Sequence, residues 1–197
     1  TRNEKGTTKS KRMEARVKMP RIRYGRDTPG TQALRRGRWL WDGATYHVVF
    51  HTEMSEPIFL DPANAQIAVH SILLTVQIYA VTIHAFVVMP DHIHLLLTVA
   101  KGSELPRVIG QLKRAITADI NRREGAKGKR WQAGYYEHHL RPDEPLKVTA
   151  AYIEANPVRA GLAETPEAYP FSSANPSVRA ALRRNQNSAS GYQPRRK

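Results

Sequence analysis

Two β-rich runs, Val81–Met89 and His92–Val99, are separated by only Pro90 and Asp91, and no other feature limits the fold as much. A connection this short can join antiparallel neighbours only, because a parallel pair needs a crossover of a dozen residues or more. The hairpin is flanked by helical spacing on both sides. Upstream, Tyr46–Phe50 (YHVVF) reads as a strand, and residues 62–78 place Ile67, Ser71, Leu74 and Ile78 on one helical stripe. Downstream, Ser103 is the expected N-cap of a helix with Pro106 in its first turn. Its apolar stripe is Leu105, Val108, Ile109, Leu112, Ile116 and Ile120, with the basic residues on other faces. Residues 125–129 (GAKGK) end it as a basic loop, and Tyr135–Leu140 reads as a further short strand. Asp143 is the expected cap of a last helix, with Pro145 in its first turn and Leu146, Ala150 and Ile153 facing inward. This order is βαββαβ plus one helix. The fold class expected is α+β, a ferredoxin-like antiparallel sheet with helices on it, with Tyr152 on the added helix.

The net charge of +14 is unevenly placed. Residues 1–40 hold 13 Lys/Arg against 3 Asp/Glu, and residues 181–197 hold 5 against none. The 140 residues between carry 13 bases and 14 acids, so their net is −1. The expected organisation is a basic arm at 1–38, one domain at 39–173 beginning near Trp39–Trp41, and a loose basic tail at 174–197. Basic arms without an accompanying lipid-binding helix point to nucleic acid as the partner and not a membrane. No apolar run is long enough to span a bilayer, and no apolar stretch follows the basic start as it would in a secretory signal. The absence of cysteine excludes disulfide scaffolds, thiolate metal sites and cysteine nucleophiles, and fits a reducing cytoplasm.

Two segments carry chemistry. In Met89–Leu97 (MPDHIHLLL), strand alternation puts His92 and His94 on one face, with Ile93 and Leu95 on the other. Two adjacent imidazoles form half of a metal site, although solvent-facing or hydrogen-bonded histidines give the same pattern. In residues 151–161 (AYIEANPVRAG), Tyr152 and Asn156 are one helical turn apart, and Pro157 biases Asn156 toward the helix end. An amide oxygen there can complete a hard-metal shell, and a phenol beside the metal can act as nucleophile. The plainer reading is a tyrosine at the edge of the core and an asparagine capping the helix C-terminus.

Taken together, His-hydrophobic-His on a strand followed by Tyr-x-x-x-Asn-Pro on a late helix resembles the HUH single-tyrosine transposases. The closer likeness is to the REP-associated tyrosine transposases. It spans residues 45–173 through the MPDHIHLLL, WQAGYYEHHLRPDE and YIEANPVRAGL blocks and the YPFSS run at 169–173. The resemblance implies that His92, His94 and Asn156 ligate a divalent cation, Mg²⁺ or Mn²⁺, and that Tyr152 is the nucleophile. It implies a transposase that cuts and rejoins single-stranded DNA by transesterification through a 5′-phosphotyrosine. The implied substrate forms hairpins, as repetitive extragenic palindromes (REP elements) do, in the nucleoid of a bacterial cytoplasm. Monomer and homodimer both stay open.

Around this centre, Lys113, Arg114, Arg122, Arg123, Lys127, Lys129 and Arg130 are candidate phosphate contacts. Trp39, Trp41 and Trp131 either stack on unpaired bases or pack in the core. His84, His138, His139, Glu137 and Asp91 are further candidates for the site, with structural or solvated roles as the alternative. Tyr135 and Tyr136 are rival phenols without an amide four residues on. The competing reading from another class is a domesticated, non-catalytic nucleic-acid-binding regulator of the same fold.

Overall fold

The computed structural model describes residues 43–100 and 103–190, so Trp39, Trp41, the arm at 1–38 and residues 191–197 lie outside the described residues. Four strands, β1 (Ala44–His51), β2 (Val81–Met89), β3 (His92–Val99) and β4 (Tyr136–His139), form one sheet in the order β2-β3-β1-β4. Every pairing is antiparallel. With α1 (Pro62–Ile78) and α2 (Leu105–Glu124) between strands, the chain follows the expected βαββαβ order. The hairpin turns at Pro90-Asp91 as its length requires.

The two faces of the sheet have different cores. On one, Val48, Phe50, Phe86, Val88, Ile93, Leu95 and Leu97 pack with the buried stripes of α1 and α2. The stripe expected on α2 is fully buried as read, and Gly125, with φ +62, closes that helix in the left-handed conformation glycine tolerates. The opposite face carries a smaller cluster of Ala85, Val87, Met89, Leu96, Leu140, Ile153 and Tyr169. It packs with α3 (Leu146–Glu154), which is followed by the short α4 (Asn156–Arg159). This second face also bears His92 and His94.

Five local expectations are corrected. The N-cap of α2 is Glu104, not Ser103, and that of α3 is Pro145, not Asp143; neither has a side-chain cap bond. Leu146, expected to face inward on α3, is 36% exposed. On α1 Ser71 is buried as expected, but the apolar positions buried with it are Ala65, Ala68, Val69, Ile72 and Val76, while Ile78 is exposed. The stripe is rotated because α1 meets α2, α5 and β2 together, so small residues and Thr75 are covered as well. The segment read as loose from residue 174 contains a helix, α5 (Pro176–Ser190), packed on α1. Its polar composition hides a short apolar stripe of Val178 and Leu182. Two of its amides serve tertiary bonds, Asn185 Nδ2 donating to Leu73 O (2.8 Å) and Gln186 Nε2 to Ile83 O (2.7 Å).

Candidate active site

Strand alternation on β3 sets His92 and His94 side by side, and the antiparallel register brings β1 against them. His51 lies opposite His92 and Val49 opposite His94. A row of polar contacts follows. Asp91 Oδ1 is 2.6 Å from His92 Nδ1, His92 Nε2 is 3.2 Å from His94 Nε2, and His94 Nδ1 is 3.0 Å from His47 Nε2. The His51 and His92 rings stack with centroids 4.9 Å apart. Thr52 N and Oγ1 both donate to Asp91 O (2.8 and 2.9 Å), tying the hairpin turn to the end of β1.

Burial favours the neutral form of three of these imidazoles, His47, His51 and His94. Burial, aided by the neighbouring His138, pushes His47 down to about 4. Burial is also the main cause that holds His94 well below the ordinary histidine range, followed by the charges of His92, His47, His51 and Arg159. His51 is lowered by burial and His92, against the opposing pull of Asp91. Neutral imidazoles are the form that binds metal. Two nitrogens each about 2.1 Å from one ion, at angles between square and tetrahedral, lie about 3.0–3.4 Å apart. The 3.2 Å between the Nε2 atoms of His92 and His94 fits that separation. His51, Asp91 and His92 also lie within metal-ligand spacing of one another, so the cluster can hold a metal.

The tyrosine helix packs over the same face. Ile153 is fully buried in the small cluster and Tyr152 packs at its edge. After Glu154 the helix breaks at Ala155 (φ −82°, ψ −1°) and restarts at Asn156. Asn156 Nδ2 donates to Ile153 O (2.9 Å), and its Oδ1 accepts from Arg159 Nη2 (2.8 Å). The amide therefore caps α3, as the plainer sequence reading had it. Arg159 Nη2 also donates to Tyr152 O (2.9 Å), and its guanidinium carbon lies 4.1 Å from the centroid of the Tyr152 ring.

The YPFSS run holds this helix in place. Tyr169 Oη donates to Val88 O (2.8 Å), burial pushing the phenol up to about 12, and Val88 N donates to Phe171 O (2.9 Å). Ser173 Oγ donates to Glu154 Oε1 (2.6 Å), which also accepts from Arg179 Nη2 of α5 (2.8 Å). The outer edge of β2 is thereby covered and α3 is fastened to α5.

With β1 to Asn156 thus placed, a family model described as IS200-like transposase matches residues 41–156. The chain belongs to the IS200-like transposase family. The chain is 31% identical over 108 residues to a Haemophilus influenzae protein assigned to the REP-associated tyrosine transposases. The match takes in 50% of the chain and 61% of that relative, so the chain spans less than two thirds of the relative's length. Its fold is similar to that of a REP-associated tyrosine transposase solved bound to a REP hairpin. There the TM-score is 0.61 at 23% identity, over 74% of this chain and 86% of the other. A Deinococcus radiodurans protein assigned as a transposase aligns with a TM-score of 0.41 at 20% identity, over 60% and 94% of the two chains.

The basic residues singled out in the sequence are mostly paired within the fold. Lys113 Nζ donates to Gln132 O and Gly134 O (2.9 and 2.8 Å), and burial lowers it to about 8. Arg114 bonds Gln111, Arg122 pairs with Asp119, Arg123 with Asp61, Lys129 with Glu53 and Arg130 with Glu124, while Lys127 is exposed. Trp131 is buried against Phe50 and Phe59, a core role. The loop at 127–131 nevertheless borders the end of the sheet that carries His51 and His92, because Thr52 bridges Trp131 and Glu53 N donates to Arg130 O.

His84 bonds Thr98 (2.7 Å), His138 bonds Glu144 (2.9 Å), and His139 lies against Tyr46. Glu137, Tyr135 and Tyr136 stay in or beside β4. His47, His51 and Arg159 were missed from sequence. For the two histidines the signal was present: in HVVFH they are four apart on a strand, hence on one face. Among the described residues, no helix is long and apolar enough to cross a membrane.

Proposed function

We propose that the protein is a metal-dependent single-tyrosine transposase that cuts and rejoins single-stranded DNA beside hairpins of the REP type. The observation that carries this reading is the pair of Nε2 atoms 3.2 Å apart on the sheet face covered by the tyrosine helix. His92 and His94 would hold the cation, Mg²⁺ or Mn²⁺, which when bound polarises the scissile phosphate. Asn156 would complete the ligand set once its amide oxygen is released by Arg159.

Tyr152 supplies the nucleophile. Its phenol oxygen bonds to phosphorus as the bond from phosphorus to the 3′ oxygen breaks, and the proton lost by the phenol is balanced by the one gained at the released 3′-hydroxyl. The phosphotyrosine keeps the bond energy, so a second 3′-hydroxyl can attack and rejoin strands. Arg159 over the ring stands ready for a phosphate oxygen. Surface ion pairs contribute little, so Arg122, Arg123, Lys129 and Arg130 can exchange their carboxylates for phosphates, alongside Lys127. Lys113, bonded to two carbonyls, instead orders the loop before β4. The catalytic unit would work in a bacterial cytoplasm, as monomer or homodimer.

The tied amide of Asn156 favours one other reading, a regulator that binds DNA without turnover. Incubation with labelled hairpin-bearing single-stranded DNA and Mn²⁺, read on a denaturing gel, separates the two. A DNA-linked protein band in wild type, absent in Tyr152→Phe and His92→Ala, supports the transposase. Binding without an adduct supports the regulator.

A further inference from the structure

A histidine that ligates metal through Nε2 must keep that nitrogen unprotonated, so its proton has to sit on Nδ1, and something has to accept it there. For His92 the acceptor is Asp91 Oδ1 at 2.6 Å. For His94 the atom at Nδ1 is His47 Nε2, at 3.0 Å in a buried contact, with the two rings stacked 23° from parallel. Both imidazoles are 8% exposed, so water has little access to take the place of either partner. A buried N–H without an acceptor is costly, which gives this contact its hold over the tautomer.

We propose that His47 is a positioning residue of the metal site: it accepts the Nδ1 proton of His94 and so aims the Nε2 lone pair of His94 at the cation. An imidazole takes the place that a carboxylate or carbonyl usually fills. The row continues outward, because His138 stands opposite His47 in the register of β1 and β4, and its Nε2 lies 3.0 and 2.9 Å from the two oxygens of Glu144. β1 thus does more than pair with the ligand strand. It supplies the support for one ligand, while the hairpin turn supplies it for the other.

This inference rests on the reading of His92 and His94 as ligands, and the test separates the two. Mn²⁺ affinity is measured by calorimetry and nitrogen couplings to Mn²⁺ by pulsed EPR, on wild type, His94→Ala, His47→Phe and His47→Gln. Phe keeps a ring in the slot without an acceptor, whereas Gln restores one. We expect two nitrogen couplings in wild type. In His47→Phe we expect affinity weakened about 10- to 100-fold and a single remaining coupling, and in His47→Gln most of both recovered. His47→Phe binding within twofold of wild type, with both couplings intact, overturns the role of His47 while leaving the ligands in place. No nitrogen coupling in wild type overturns the ligand reading, and the inference with it. Should the Phe variant not fold, ¹⁵N NMR of wild type loaded with diamagnetic Mg²⁺ decides: His47 protonated at Nδ1 with a bare Nε2 is expected, and a proton on His47 Nε2 overturns the proposal.

Discussion

Tyr152 carries the guanidinium of Arg159 4.1 Å from its ring centroid, and the same side chain holds the amide oxygen of Asn156. One residue thus touches the proposed nucleophile and a proposed ligand. Replacing Arg159 with Ala is expected to slow adduct formation about tenfold, ~1.4 kcal/mol, with Lys restoring little because it lacks the planar fork. Single-turnover rates on hairpin DNA check this; an unchanged rate would exclude the contact from the chemistry. His47 sets a pH dependence. The folded, metal-free protein keeps it neutral down to about 4, whereas an unfolded chain protonates it near 6.5. The unfolded state therefore binds more protons between those values. Stability should be complete above pH 6.5 and fall as pH drops toward 4, by roughly 3 kcal/mol at the limit. Denaturant titrations at pH 7 and 4.5 should show this loss in wild type and a smaller one in His47→Phe.

At the scale of elements, the placement of α3 depends on segments that follow it in sequence. The run at 169–173 hydrogen-bonds along β2, and Glu154 is shared between Ser173 and Arg179. Leu182 of α5 is 4% exposed in the main core. Leu182→Ala should cost about 2–5 kcal/mol by denaturant midpoint, the range for a buried leucine, whereas a loose tail predicts no change. Tyr169→Phe removes the bond to Val88 O and should cost about 1–2 kcal/mol, since that carbonyl stays buried.

For the whole molecule, the charge lies at the two ends of the chain and not in the central 140 residues. Affinity for single-stranded DNA should therefore fall linearly with the logarithm of salt concentration. Removing residues 1–38 should flatten that slope by about 0.7 for each phosphate the arm neutralises. Fluorescence anisotropy across a salt series measures it. An unchanged slope would place the phosphate contacts on α2 and the 127–130 loop instead.

Local pattern was enough for the hairpin, the α2 stripe and the pairing of His92 with His94, because each depends on residues a few positions apart. The period of a strand or helix then dictates which side chains share a face. The succession of strand and helix patterns along the chain carried the expected βαββαβ core, and the likeness of two short motifs to a family pointed to Tyr152 on the added helix. Tertiary structure alone decided which strand lies beside the histidines. The register of β1 against β3 brings His47 and His51 to residues more than forty positions away, and nothing within HVVFH states its partner. Tertiary structure also decided that α5 is a helix, since its stability comes from the groove beside α1 and not from its own polar sequence. The state of Asn156 was settled the same way: spacing placed it one turn after Tyr152, but the break at Ala155 and the reach of Arg159 turned its amide into a cap.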